Sequence, residues 1–417
     1  MSTHQNDAVF AATSTSPDGT GPQFGEVQFT ADPTAFKIKH PSDTALYNRV
    51  NKKLLQPIPP PHDPANMILT LETVWGDKGP AVVQNVKDSG QIVFHAGGDT
   101  GPTKGPQNLD AVTDKLANDF VNEPAGQIPV FFFHLGDVVY SFGEAEYYYD
   151  QFYDPFRNYP APILAIPGNH DGLVYTGDPA PTLDAFLRNF VSEEPVQTPE
   201  AGGLVRTSMT EPGVYFAFDA PFVTIIGLYS NVLEDPGVLS SQGDATSPVS
   251  DEQLVFLAAQ LNRVKDSGNA VIVALHHPPF VFGGEHAGSP VMSAELDKVF
   301  GDVGFWPHAV LSGHAHNYQR FTRDPQGTAY NVPYIICGNS GHNVTMLKST
   351  ASTALRAPLQ IDAELTFENY DDKNYGYLRI ICDAKQLRIE YHDAEPNQKT
   401  YSDAVTIDIA THTKIAN

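Results

Sequence analysis

The chain has 417 residues, 41% hydrophobic and 18% charged, enough for one large α/β domain with additions and unlike a disordered or fibrous protein. A formal charge of −24 works against gripping a nucleic-acid backbone or an anionic membrane, so any phosphate site must carry its own local positive charge. No apolar run approaches membrane-spanning length.

Residues 1–25 are polar and rich in Ser, Thr, Gly and Pro, and read as a flexible tail. They lack the basic start and apolar stretch of a secretion signal, which makes the cytoplasm the default expectation. Residues 26–65 form an extension ending in the proline cluster Pro57 to Pro64, a semi-rigid connector, and residues 66–417 form the main domain.

Regular patterning begins near Met67. Strands are expected at Met67–Leu71, Gln91–His95, 129–134 and Pro162–Ile166. Leu109, Val112, Leu116 and Phe120 recur at helical spacing, and a second helix is expected within 143–157. Ser250 with Gln253 three residues on predicts a capping box for a helix reaching Val264, which feeds a strand at Ala270–Leu275. Further β segments follow at Ala309–Leu311, Tyr377–Cys382 and Leu387–His392. Alternating strands and helices predict an α/β architecture with a β-rich C-terminal portion. Cys337 and Cys382 each sit in an apolar stretch, as two buried thiols or as one disulfide between neighbouring strands.

Five clusters place metal-ligand residue types in a turn at the end of an apolar strand. They are Gly98-Asp99-Thr100-Gly101, Gly136-Asp137-Val138-Val139-Tyr140, Gly168-Asn169-His170-Asp171, Val273-Ala274-Leu275-His276 and Gly313-His314-Ala315-His316. Singly, an Asp after Gly is usually a turn former and a lone His usually a hydrogen-bonded core residue. Together and in this order, the clusters resemble the calcineurin-like metallophosphoesterase superfamily and, within it, the purple acid phosphatases, over roughly residues 91–343.

The resemblance implies two packed mixed β-sheets flanked by helices, with a dinuclear metal centre at the strand ends. It implies that Asp137 bridges the metals, that Asp99, Tyr140 and His316 complete one site, and that Asn169, His276 and His314 complete the other. Most superfamily members carry a ligand histidine two residues after the first aspartate. Here Gly101 stands there, and Tyr140, three residues after Asp137, is what purple acid phosphatases use instead. A phenolate is a hard anionic donor, suited to Fe(III); the second metal is Zn, Fe or Mn. The expected reaction is hydrolysis of phosphate monoesters, an acid phosphatase activity, by in-line attack of metal-bound hydroxide.

In the family, a histidine placed like His170 contacts the phosphate, and one placed like His286 protonates the leaving alkoxide. His277 either stands behind the ligands or faces away, and the catalytic set therefore carries His170, His286 and His277. His342 either lines the pocket or forms a turn, whereas His95 and His134 read as structural. The expected partner is a small-molecule phosphate ester, with no nucleic acid and no membrane. A phosphodiesterase of the same superfamily shares these ligands, and a non-catalytic metal- or phosphate-binding protein on the same scaffold would usually have lost one.

Overall fold

The computed structural model describes residues 55–124, 126–174, 180–240, 249–347, 355–395 and 400–415. The expected tail and most of the extension before residue 66 lie outside the described residues. In chain order the first eight strands are β1 (Ile68–Thr70), β2 (Gln91–Gly97), β3 (Phe132–His134), β4 (Ile163–Ala165), β5 (Phe216–Ala220), β6 (Val223–Leu228), β7 (Ala270–Leu275) and β8 (Ala309–Ser312). The rest are β9 (Tyr318–Arg323), β10 (Val332–Cys337), β11 (Leu359–Gln360), β12 (Leu365–Asp371), β13 (Gly376–Asp383), β14 (Gln386–Asp393), β15 (Asp403–Asp408) and β16 (Thr413–Ile415).

They make two mixed sheets. One has nine strands in the order β1-β5-β6-β7-β8-β10-β9-β12-β11, the other seven in the order β16-β15-β14-β13-β2-β3-β4. Pairing is parallel along β2-β3-β4 and along β6-β7-β8-β10, so in each run the strand carboxyl ends share one rim.

The two-residue period of a strand explains the layering. Ile92, Phe94 and Ala96 of β2, with Phe131, Phe133 and Leu135 around β3, face a core between the sheets shared with Ile272 and Ala274 of β7. The alternate residues meet helices. Phe132 joins Leu109, Val112 and Leu116 of the helix Gln107–Asn122. Val271, Val273 and Leu275 pack with Leu257 and Leu261 of the helix Glu252–Val264 and with Leu296 of the helix Pro290–Val303. Strands covered on both faces must be apolar throughout, hence their continuous hydrophobic runs. Two sheets flanked by helices result, as expected.

Local expectations fared unevenly. The strand near Met67 stops at Thr70, whose hydroxyl accepts the Thr73 N–H at 3.1 Å and caps a short helix Leu71–Val74. The helix expected within 143–157 breaks into a 3-10 turn at Ala145–Tyr147 and a π-helix at Tyr149–Tyr153, which buries Gln151. The capping box does not form: Asp251 is the N-cap, its side chain making no capping bond to the helix, and Gln253 is buried against the Tyr229 backbone instead. Cys337 and Cys382 are free buried thiols in different sheets, so the disulfide alternative falls. His95 sits between Asp119 (3.0 Å) and the Tyr159 hydroxyl (3.2 Å), a structural place. No helix among the described residues is long and apolar enough to cross a membrane.

Phe133 is fully buried between the sheets, 6.2 Å ring to ring from Phe216 of the opposite sheet. Phe133→Ala should cost about 3–5 kcal/mol, read as a lowered urea midpoint with little change in slope.

Candidate metal centre

Every side chain singled out as a ligand lies at or just beyond a strand's carboxyl end. Asp99, Asp137 and Asn169 follow β2, β3 and β4 of the seven-stranded sheet, whereas His276 follows β7, and His314 and His316 follow β8, of the nine-stranded one. The centre therefore sits at the seam between the sheets.

Tight turns aim these side chains. Asp99, Asp137 and His314 hold φ of 58°, 56° and 65°, a left-handed conformation costing a non-glycine residue on the order of 1–3 kcal/mol. The turns interlock: the Asp99 N–H donates to the Gly136 carbonyl at 2.9 Å, and the Thr100 N–H to the Asp137 carbonyl at 3.2 Å. The Asp171 carboxylate accepts the N–H groups of Gly168 (2.8 Å) and Val138 (2.9 Å), tying the third cluster to the second. A Cβ on Gly168 would lie 2.1 Å from Asp137 Oδ1, so only glycine lets the two turns approach this closely.

Two sets of donor atoms converge. In the first, the Tyr140 hydroxyl is 3.0 Å from Asp99 Oδ1, 2.9 Å from Asp137 Oδ2 and 3.3 Å from His316 Nε2. In the second, Asn169 Oδ1 is 3.1 Å from both His276 Nε2 and His314 Nδ1, and His276 Nε2 is 3.2 Å from Asp137 Oδ2. Asp137 Oδ2 belongs to both sets. Its other oxygen accepts the His170 N–H at 2.8 Å, which fixes the carboxylate between them. Three buried groups, Asp137, His276 and His314, each bring a ligand atom within 4.8 Å of the others, close enough that they could hold a metal ion.

The electrostatics fit a pair of cations. Asp99 and Asp137 are buried, and among the described residues their ion-pair partners are histidines. Buried carboxylates are costly unless positive charge compensates them, which a bound cation would add to. Burial opposes the charge on Asp137, yet His276 and His170 hold its carboxyl well below the usual range. Burial likewise disfavours a charged His276, but Asp137 and Asp99 prevail and raise it to about 9. The Tyr140 phenol is pushed far up, by burial and then by Asp137 and Asp99, which keeps it a neutral hydrogen-bond donor between the two carboxylates. The buried Asn169 amide nitrogen has no hydrogen-bond partner among the described residues, consistent with the residue being placed for its oxygen.

The remaining histidines separate by geometry. His170 Nδ1 donates to the Ser141 carbonyl at 2.7 Å, leaving Nε2 without a partner among the described residues. His286 reaches the same centre, its ring 4.1 Å from that of His314 and 5.4 Å from that of His316. His277 is buried with both ring nitrogens occupied, by Ser230 Oγ at 2.7 Å and the Leu233 carbonyl at 2.5 Å, and burial pushes it down to about 3. It offers no nitrogen to a substrate, which corrects its place in the catalytic set: it stands behind His276. His342 stacks on the Tyr140 ring at 3.5 Å and contacts the Gly101 carbonyl at 2.8 Å, lining the first set rather than only turning the chain. His134 is structural, lying between Thr100 Oγ1 (2.8 Å) and the Gly136 N–H (3.1 Å).

Two residues were not legible in the sequence. Gln151 holds the Tyr140 backbone with both ends of its amide, at 2.9 and 3.0 Å, and Asp235 reaches toward His286 and His314 from the loop after β6. Neither lies in a motif. A glutamine in an aromatic-rich stretch and an aspartate before proline carry no signal until the chain is folded.

Residues 94–318, more than half of the chain, match the family described as calcineurin-like phosphoesterase. No curated protein sequence matches this one. Among solved structures, the purple acid phosphatase PPD1 from yellow lupin (Lupinus luteus) seeds is similar at 16% identity and a TM-score of 0.51, over 76% of this chain and 54% of that one. This chain thus spans about half the length of the lupin protein. GAP50, the anchor in the inner membrane complex of Plasmodium, is similar at 15% identity and a TM-score of 0.49, over 75% of this chain and 87% of that one. PhoD is similar at 14% identity and a TM-score of 0.45, over 79% of this chain and 72% of that one. At such identities the likeness concerns the fold alone.

Gly168→Ala should displace Asp137 and abolish metal uptake in elemental analysis, with the far-ultraviolet circular dichroism spectrum retained.

Proposed function

The chain belongs to the calcineurin-like phosphoesterase family, and we propose that it is a purple-type acid phosphatase hydrolysing small phosphate monoesters with two bound metal ions. The observation that carries this reading is the Tyr140 hydroxyl, buried within 3.0 Å of both Asp99 and Asp137 where the first cluster lacks a histidine. When bound, two cations acidify a water into a nucleophile and cancel charge on the phosphoryl group.

The chain's own residues divide the remaining work. Asp99, Tyr140 and His316 would hold the first ion, and an anionic phenolate there favours Fe(III). Asn169, His276 and His314 would hold the second, a mixed nitrogen and oxygen set suited to Zn, Fe or Mn. Asp137 Oδ2 would be shared between them. His170, its Nδ1 tied to the Ser141 carbonyl, keeps Nε2 available to orient a phosphate oxygen. His286 would give a proton to the departing alkoxide. Residues 66–417 would make up the hydrolytic domain.

Metal-reconstituted protein should hydrolyse p-nitrophenyl phosphate faster than bis(p-nitrophenyl) phosphate; the reverse order would make it a phosphodiesterase, and no turnover of either would favour a non-catalytic binder. Asp137→Asn should lose both metals and fall below about one per cent of wild-type turnover, since ligand removal exceeds the roughly 10–100-fold effect of outer partners. Retention of both metals would show that the bridge is misassigned. The iron-loaded protein should be coloured by a tyrosinate charge-transfer band that Tyr140→Phe removes; a colourless, fully active zinc or manganese enzyme would refute the iron assignment.

A further inference from the structure

Asp235 lies in none of the sequence clusters, yet it joins the His286 loop to the metal-facing histidines. Its Oδ1 accepts the Ala287 N–H at 2.9 Å and lies 3.4 Å from His314 Nε2, while its Oδ2 lies 3.5 Å from His286 Nδ1. That His286 nitrogen has no hydrogen-bond partner among the described residues, although its side chain is only 9% exposed. A buried polar nitrogen without a partner is costly, and the carboxylate oxygen facing it needs to move only a few tenths of an ångström to satisfy it. Contacts of this kind tighten when substrate binds.

Asp235 is itself held in place. The Leu233 carbonyl, two residues earlier, accepts from His277, whose other nitrogen meets Ser230. Leu233 packs with Leu55, Val238 and Val249. Within the adjacent pair, His276 turns to the metal centre and His277 braces the loop that carries Asp235.

We propose that Asp235 is a positioning residue for His286: by accepting from Nδ1–H it turns Nε2 toward the ester oxygen. This rests on the hydrolytic reading above. As the P–O bond breaks, His286 passes its Nε2 proton to that oxygen, releasing the alcohol and orthophosphate with consumption of one water, and is reprotonated by solvent. An alkyl leaving group needs this proton; p-nitrophenolate, a stable anion, scarcely does.

The test compares kcat for p-nitrophenyl phosphate and glycerol 2-phosphate in metal-loaded wild type, Asp235→Asn, His286→Ala and the double variant, with metal content measured in each. Asp235→Asn should lower kcat for the alkyl ester at least about tenfold more than for the aryl ester, at unchanged metal content. The double variant should be no slower on the alkyl ester than His286→Ala alone. Equal losses on both esters, metal loss, or an added loss in the His286→Ala background would overturn the inference while leaving the hydrolytic reading standing. Inactive wild type would overturn both. Should Asp235→Asn fail to fold, Ala287→Pro, which removes the N–H held by Oδ1, must reproduce the selective loss or the inference fails.

Discussion

Two carboxylates, Asp99 and Asp137, are buried at the seam of two sheets, both within hydrogen-bond distance of one phenol and neither paired with a lysine or arginine among the described residues. Like charges this close repel strongly in a medium less polarisable than water. Such an arrangement persists only if cations or protons compensate it. A site that took up cations would also offset locally the repulsion that a net charge of −24 sets against an anionic substrate.

Holding that arrangement requires both sheets. The seven-stranded sheet delivers Asp99, Asp137 and Asn169, and the nine-stranded sheet delivers the three histidines. The phenylalanine-rich core between the sheets fixes the distance between the two halves, so packing and chemistry are coupled even though Phe133 touches no ligand. The strain in three left-handed ligand positions is sustained by hydrogen bonds between neighbouring turns.

Buried glutamines perform a second positioning task. Gln151 holds the Tyr140 backbone through both its N–H and its carbonyl, and Gln253 holds Tyr229 in the same manner at the exit of β6. In each case a primary amide supplies the donor and acceptor that a neighbouring strand would have provided, where the chain leaves regular structure for a functional loop. This accounts for two local misreadings: a π-helix replaces a regular helix around Gln151, and the capping box loses its glutamine.

From the sequence alone, many of the strand runs and the candidate donor side chains at their ends are legible, because each is written in a contiguous stretch: an apolar run, a glycine turn, a donor side chain. Tyr140 was legible for the same reason, lying three residues from Asp137. Tertiary structure alone decided which sheet carries each candidate ligand, that Asp137 Oδ2 faces both donor sets, that His277 stands behind His276 with both ring nitrogens occupied, and that Asp235 meets His286 across a separation of fifty-one residues. Local residue patterns specify backbone conformation and chemical type over a few residues. Contacts between loops depend on how two sheets pack, and that packing is set by the whole core at once.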